Sequence, residues 1–138
     1  MSAGREWSAE AAHPREQPGA ERYVLVVDDD PDVREVVADM LRLEGHAVRV
    51  ASDGADALEV IASQPGRPSL LLLDLMMPRM SGWELLRRLR ADSGLACIPI
   101  CLMSAVDPHG TAGADHALRK PFDLADLLAV VGRLAPRP

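Results

Sequence analysis

"VLVVDDDPDVRE", residues 24–35, sets four apolar residues directly before three aspartates, with a fourth acid just after the proline. The continuous apolar run Tyr23–Val27 is what a strand buried on both faces of a parallel sheet requires. Pro31, with its fixed φ and missing N–H, suits the first position of a helix. Val33, Val36, Val37, Met40 and Leu41 then follow the i, i+3, i+4, i+7, i+8 stripe of a helix with one apolar face, and Gly45 ends it. Strand, acidic turn and amphipathic helix together open an alternating α/β chain. The acids pose the functional question. Like charges about 4 Å apart repel by roughly 4 kcal/mol at an effective dielectric near 20. Either the aspartates point apart and do local structural jobs, or a positive partner sits among them. Asp30 reads as the helix N-cap and Asp32 as a first-turn acid favoured by the helix dipole, which leaves Asp28 and Asp29 to be explained.

The alternation continues to the C-terminus. Ala47–Ala51 reads as a second strand, and Ala55–Ala62 as a second helix stopped by "QPGRP". Ser69–Leu73 is a third strand. Ser81 and Glu84 form a capping box before a helix carrying Leu85, Leu86 and Leu89. Ile98–Met103 and Asp115–Arg119 are the fourth and fifth strands. Asp123 caps a last helix whose Leu124, Leu127, Leu128 and Val131 share one face. Five strands alternating with helices define an α/β fold, a doubly wound parallel sheet covered on both faces. In such sheets ligands sit at the carboxyl ends of the strands, near a topological switch point.

Composition narrows the classes. The 138 residues are 48% hydrophobic, enough for one domain with a real core. A net charge of −6 and a pI near 5.1 argue against a nucleic-acid-binding surface. No segment approaches the ~20 apolar residues of a membrane span. Residues 1–21, rich in Ala, Glu, Pro and Gly, read as a flexible tail without the apolar segment of a secretory signal, so a cytoplasmic location is expected. Cys97 and Cys101 are expected to be reduced, partly buried thiols, and the four histidines have no metal-ligand spacing.

Five polar positions fall at the strand ends: Asp28 and Asp29 after the first strand, Asp74 after the third, Ser104 after the fourth and Lys120 after the fifth. Singly, each is an ordinary turn, cap or surface residue. Together they are harder to dismiss. Three carboxylates converging on one crevice are unfavourable without a cation, and a few oxygen ligands with room for water and phosphate suit Mg2+. A lysine and a hydroxyl opposite them would hold the oxygens of an incoming phosphoryl group. A carboxylate can itself be the nucleophile. The constellation predicts metal-assisted phosphoryl transfer to an aspartate.

With "VLVVDDD", "LLLLDLMMPRMSGWELL", "IPICLMSA" and "LRKPF" in this order, residues 22–134 resemble the receiver domains of two-component response regulators. The resemblance implies a flavodoxin-like, three-layer α/β/α fold. It also implies that Asp74 is the phosphoacceptor, and that Asp29, Asp74 and the backbone carbonyl of Met76 ligate Mg2+, with Asp28 acting mainly through metal-bound water. Ser104 would hydrogen-bond the phosphoryl group and Lys120 would pair with it. The Lys120–Pro121 peptide is expected to be cis. The donor would be a histidine kinase or histidine phosphotransferase, and the output would pass through contacts with a downstream protein. Such a protein directs its chemistry at itself and turns over no separate substrate.

The sequence departs from the family in several places. The stretch "SAVDPHGTAGADHALRK", residues 104–120, is short for a receiver by about six residues, one to two helical turns. It also holds Pro108, Gly110 and Gly113, which disfavour helix. The fourth helix of the family is therefore expected to be truncated or absent. Ala117 stands where many receivers carry an aromatic that turns inward on phosphorylation. Met76 and Val106 stand at the positions that flank the attacking water in dephosphorylation, and neither can hydrogen-bond it well, so slow self-dephosphorylation is expected. Trp83 is expected to pack in the core. A chain ending at Pro138 is expected to be a stand-alone receiver, or else one domain of a larger product. The rival class is a pseudo-receiver, a constitutive interaction module favoured by the short connection and Ala117. A phosphatase of the aspartyl-phosphate type would want a second acid two residues after the nucleophile, where Met76 stands.

Overall fold

Hydrophobic patterning is realised in nine elements among the described residues. They are β1 (Tyr23–Val27), α1 (Pro31–Leu43), β2 (Val48–Ala51), α2 (Gly54–Ser63), β3 (Pro68–Asp74), α3 (Gly82–Ala91), β4 (Ile100–Ser104), β5 (His116–Arg119) and α4 (Leu124–Leu134). The computed structural model describes residues 20–105 and 113–135. Most of the tail expected over residues 1–21 lies outside the described residues, as do Val106, Pro108, His109 and Gly110 of the connection after β4. The expected strands are all present, with their ends moved by at most two residues.

All pairings are parallel and the strand order is β2-β1-β3-β4-β5. Because successive side chains alternate across a strand, the apolar runs divide between two cores. Leu25, Val27, Leu71, Leu73, Ile100 and Leu102 face α2 and α3, while Val24, Val26, Leu70, Leu72, Cys101 and Met103 face α1 and α4. Leu70 to Leu73 are all fully buried. Each stabilises the fold by roughly 1.5–3 kcal/mol. The result is the flavodoxin-like α/β/α sandwich, with four helices among the described residues.

Local signals act where they were read, with some corrections. Asp30 caps α1, its Oδ1 accepting from the Asp32 and Val33 amides. Gly45, at φ 95°, reverses the chain after that helix. Ser81 caps α3 by accepting from the Glu84 amide, but the Glu84 carboxylate turns to Arg87 and Arg88, so the capping box is only half formed. Trp83 is exposed, against the expectation of core packing. The buried stripe of α3 is Gly82, Leu85, Leu86 and Leu89, at i, i+3, i+4 and i+7, and Trp83 falls one step off it. Similarly, α4 buries Leu127, Val130 and Val131 while Leu124 is exposed in its first turn. On α1, Val36 is also exposed. Cys97 is exposed rather than partly buried; Cys101 is buried, and burial pushes its thiol up to about 12.

Between β4 and β5 the described residues, Ala105 and 113–115, contain no helix, as expected of the shortened connection. Arg90, on α3, is a polar bracket to the described end of this connection. Its guanidinium donates to the carbonyls of Ala96, Ile98 and Gly113 and pairs with Asp115, whose carboxylate also accepts from the Ile100 amide. No helix among the described residues is long and apolar enough to cross a membrane.

Candidate functional site

The chain reverses its direction of travel across the sheet between β1 and β3, so the carboxyl ends of those two strands open a crevice between them. Asp28 is the first residue beyond β1 and is fully buried. Its Oδ1 accepts from the Asp30 amide at 2.9 Å and its Oδ2 from Lys120 Nζ at 2.7 Å. Its backbone carbonyl accepts from the Arg34 guanidinium at 2.9 Å. Asp29 is exposed at the mouth. Asp74 ends β3, buried, with Oδ1 3.4 Å from the Met76 amide and 3.8 Å from Lys120 Nζ.

Asp28, Asp29 and Asp74 each offer a carboxylate oxygen, and these oxygens lie within 4.8 Å of one another. Burial, and after it the Asp28 carboxylate, push the Asp74 carboxyl up to about 6, against the pull of Lys120. Three converging acids thus share the crevice with one lysine. Hard oxygen donors, two of them buried and crowded enough to raise a carboxyl pKa, fit a divalent cation such as Mg2+.

The remaining expected residues fall on the same edge. Asp74 pairs in register with Met103, so buried Ser104 stands one step further along β4 at the same strand-end row. Ser104 pairs with Arg119, and its carbonyl accepts from the Lys120 amide at 2.8 Å. The Lys120–Pro121 peptide is cis. The Met76 side chain is exposed beside Asp74. Ala117 is exposed on β5. Beside the crevice runs an apolar groove of about 510 Å3 between α1 and α4, lined by Val33, Val36, Met40, Phe122 and Leu124 and opening at Lys120.

Some residues that shape the site carry no sequence signal. Arg34 is on the polar side of α1, where a surface role would be assumed. Arg79 is the one non-glycine residue at positive φ among the described residues, at 61°, and its Nε lies 2.6 Å from Asp53 Oδ2. Asp53 itself is the N-cap of α2.

A doubly wound parallel sheet with an acid cluster and a lysine at its switch point is the architecture of two-component receiver domains, the class to which the comparisons also lead. A family model, the response regulator receiver domain, matches residues 24–132. The chain belongs to the response regulator receiver family. It is 44% identical over 120 residues to the response regulator MprA of Mycobacterium ulcerans, covering 83% of this chain and 50% of that one. The chain thus spans about half the length of the curated relatives it matches. Among solved structures, chemotaxis protein CheY4 of Vibrio cholerae aligns with a TM-score of 0.74 at 30% identity, over 83% of this chain and 99% of that one. Response regulator TrrA of Thermotoga maritima, solved in complex with Mg2+-BeF, aligns with a TM-score of 0.72 at 31% identity, over 82% and 98%.

Proposed function

We propose that this chain accepts a phosphoryl group onto Asp74, with Mg2+, from a phosphohistidine on a histidine kinase or histidine phosphotransferase, and signals by contact with a downstream protein. The observation that carries this reading is the convergence of Asp28, Asp29 and Asp74, oxygens within 4.8 Å, beside Lys120. Asp29, Asp74 and the Met76 carbonyl are the residues that would hold Mg2+, with Asp28 acting through water. Bound there, the ion would neutralise the clustered carboxylates and the phosphoryl oxygens and orient them for displacement.

The chain's own residues do the rest. A carboxylate oxygen of Asp74 forms a bond to phosphorus as the donor's phosphorus–nitrogen bond breaks. The imidazole leaves with that electron pair, takes its proton from solvent if it needs one, and an aspartyl phosphate remains. Lys120 pairs with the phosphoryl oxygens and the Ser104 hydroxyl donates to one of them.

The test is intact mass spectrometry after incubation with Mg2+ and a small phosphodonor such as acetyl phosphate. One added phosphoryl group is expected, lost in Asp74→Ala and on chelation of Mg2+. No adduct, or an adduct that persists in Asp74→Ala, overturns the reading in favour of a constitutive interaction module.

A further inference from the structure

The loop between β3 and α3, residues 75–81, carries Met76, whose carbonyl the preceding reading makes a metal ligand. Besides the bond of the Met76 amide to Asp74 Oδ1 at 3.4 Å, three further contacts hold this loop. At its far end the Gly82 amide donates to the Leu75 carbonyl at 3.0 Å, and a Cβ on Gly82 would come within 2.3 Å of the Asp74 carbonyl oxygen. Only glycine lets the loop close back on β3 there. At its flank the Gly54 amide donates to the Met80 carbonyl at 3.1 Å, and a Cβ on Gly54 would lie 2.7 Å from Met80 Cγ. The loop therefore leans directly on the turn between β2 and α2.

The third contact is the Arg79–Asp53 ion pair, and it is an unusual one. Arg79 adopts a left-handed backbone at φ 61°, which is unfavourable for a residue with a Cβ. From there its mostly exposed side chain reaches back to Asp53, whose side chain is 6% exposed, with Nε to Oδ2 at 2.6 Å. The other oxygen, Oδ1, caps α2 by accepting from the Asp56 amide at 2.9 Å. One carboxylate thus joins the start of α2 to the middle of the loop. A glycine at position 79 would adopt the backbone without strain, so the arginine is not there for the turn. Its gain is the pair.

We propose that Asp53 and Arg79 are positioning residues, a clasp from the start of α2 to the loop that fixes the Met76 backbone where Mg2+ would be held. The inference rests on the reading of Asp28, Asp29 and Asp74 as the metal site. It is tested on the full chain by following backbone amides in solution by NMR, first for their exchange with water in metal-free protein and then through a Mg2+ titration. Asp53→Asn keeps the helix cap and removes the charge. Arg79→Gln keeps the side-chain stem and the backbone strain, whereas Arg79→Gly removes both strain and pair. All three should weaken Mg2+ binding roughly tenfold, the low end for groups that orient metal ligands. All three should also speed exchange at Gly54 and Gly82 while leaving the central amides of β1 and β3 unchanged. Arg79→Lys, which keeps the charge, should recover part of the affinity.

The clasp is overturned if Arg79→Gly binds Mg2+ within twofold of the unaltered chain with unchanged exchange at Gly54 and Gly82. It is also overturned if only Arg79→Gln is weakened, because backbone strain would then govern the effect. If the unaltered chain binds no Mg2+, the reading of the acid cluster fails instead, so the two failures are distinct.

Discussion

Lys120 Nζ lies 2.7 Å from Asp28 Oδ2, while Asp74 Oδ1 stands 3.8 Å from the same nitrogen. The lysine thus neutralises the more deeply buried acid and only leans toward Asp74. Breaking a buried pair from one side leaves a desolvated charge, which costs about 3–5 kcal/mol where both partners are fully buried. Lys120 is partly exposed, and water would reach Asp28 more easily once its side chain is shortened. Lys120→Ala should therefore destabilise the metal-free protein by about 2–3 kcal/mol in urea denaturation. Millimolar Mg2+ should restore more stability to the variant than to the unaltered chain, because a cation that binds only the folded state adds stability by mass action. A cost below about 0.5 kcal/mol, smaller than a typical net hydrogen bond, would mean that Asp28 does not depend on the lysine.

Asp74 makes the opposite kind of prediction, because its carboxyl is raised to about 6 from an ordinary 3.8. The folded protein then holds this proton more tightly than the unfolded chain does. Its contribution is most favourable below about pH 4 and is lost as pH rises through 6. At neutral pH the ionised group is a net cost, and Asp74→Asn removes it with little change of shape. In chelator, the variant should gain about 1–2 kcal/mol at pH 7, a rise of roughly 3–8 °C in Tm, with water in the crevice keeping the gain below the full shift. Thermal denaturation repeated at pH 4 should find the difference gone. An equal gain at both pH values would assign the effect to packing rather than charge.

What could be read in advance follows from burial. Tyr23–Val27 and Leu70–Leu73 are central parallel strands covered on both faces, so their residues are apolar without interruption and the strand ends stand out as the first polar positions. Asp28 and Asp74 were legible for that reason, since each is a polar residue that ends an apolar run, whereas Lys120 follows the polar Arg119 on a short, half-exposed strand and stood out only by its place after the fifth strand. Trp83 was misplaced because aromatic character says a side chain is large, not which side of a helix it is on; the neighbouring Gly82 and Leu85 occupy the inward stripe. The Arg79–Asp53 pair has no local signature. An arginine does not announce a left-handed backbone, and a contact across 26 positions depends on how two loops meet after the sheet has formed. Arg90 is hidden in the same way, as a polar residue on an amphipathic helix whose partners, Gly113 and Asp115, arrive only when β5 docks.

The lifetime of an aspartyl phosphate depends on how well the protein assists the water that attacks it. Next to Asp74 the structure has the exposed side chain of Met76, a thioether that is at best a weak acceptor. Val106, outside the described residues, offers no hydrogen-bonding group either. Neither can orient or deprotonate a water, so hydrolysis should proceed without the ~10²–10⁴-fold that a positioned acid–base group supplies. Met76→Glu combined with Val106→Asn should therefore shorten the phosphoryl half-life by about tenfold or more. The decay is followed by intact mass after the phosphodonor is removed, in excess Mg2+, with the rate of phosphorylation measured in parallel. Loading at an unchanged rate with faster decay would assign the lifetime to these two positions. A half-life that does not move would place control of hydrolysis elsewhere, with access of water past Lys120 the next quantity to measure.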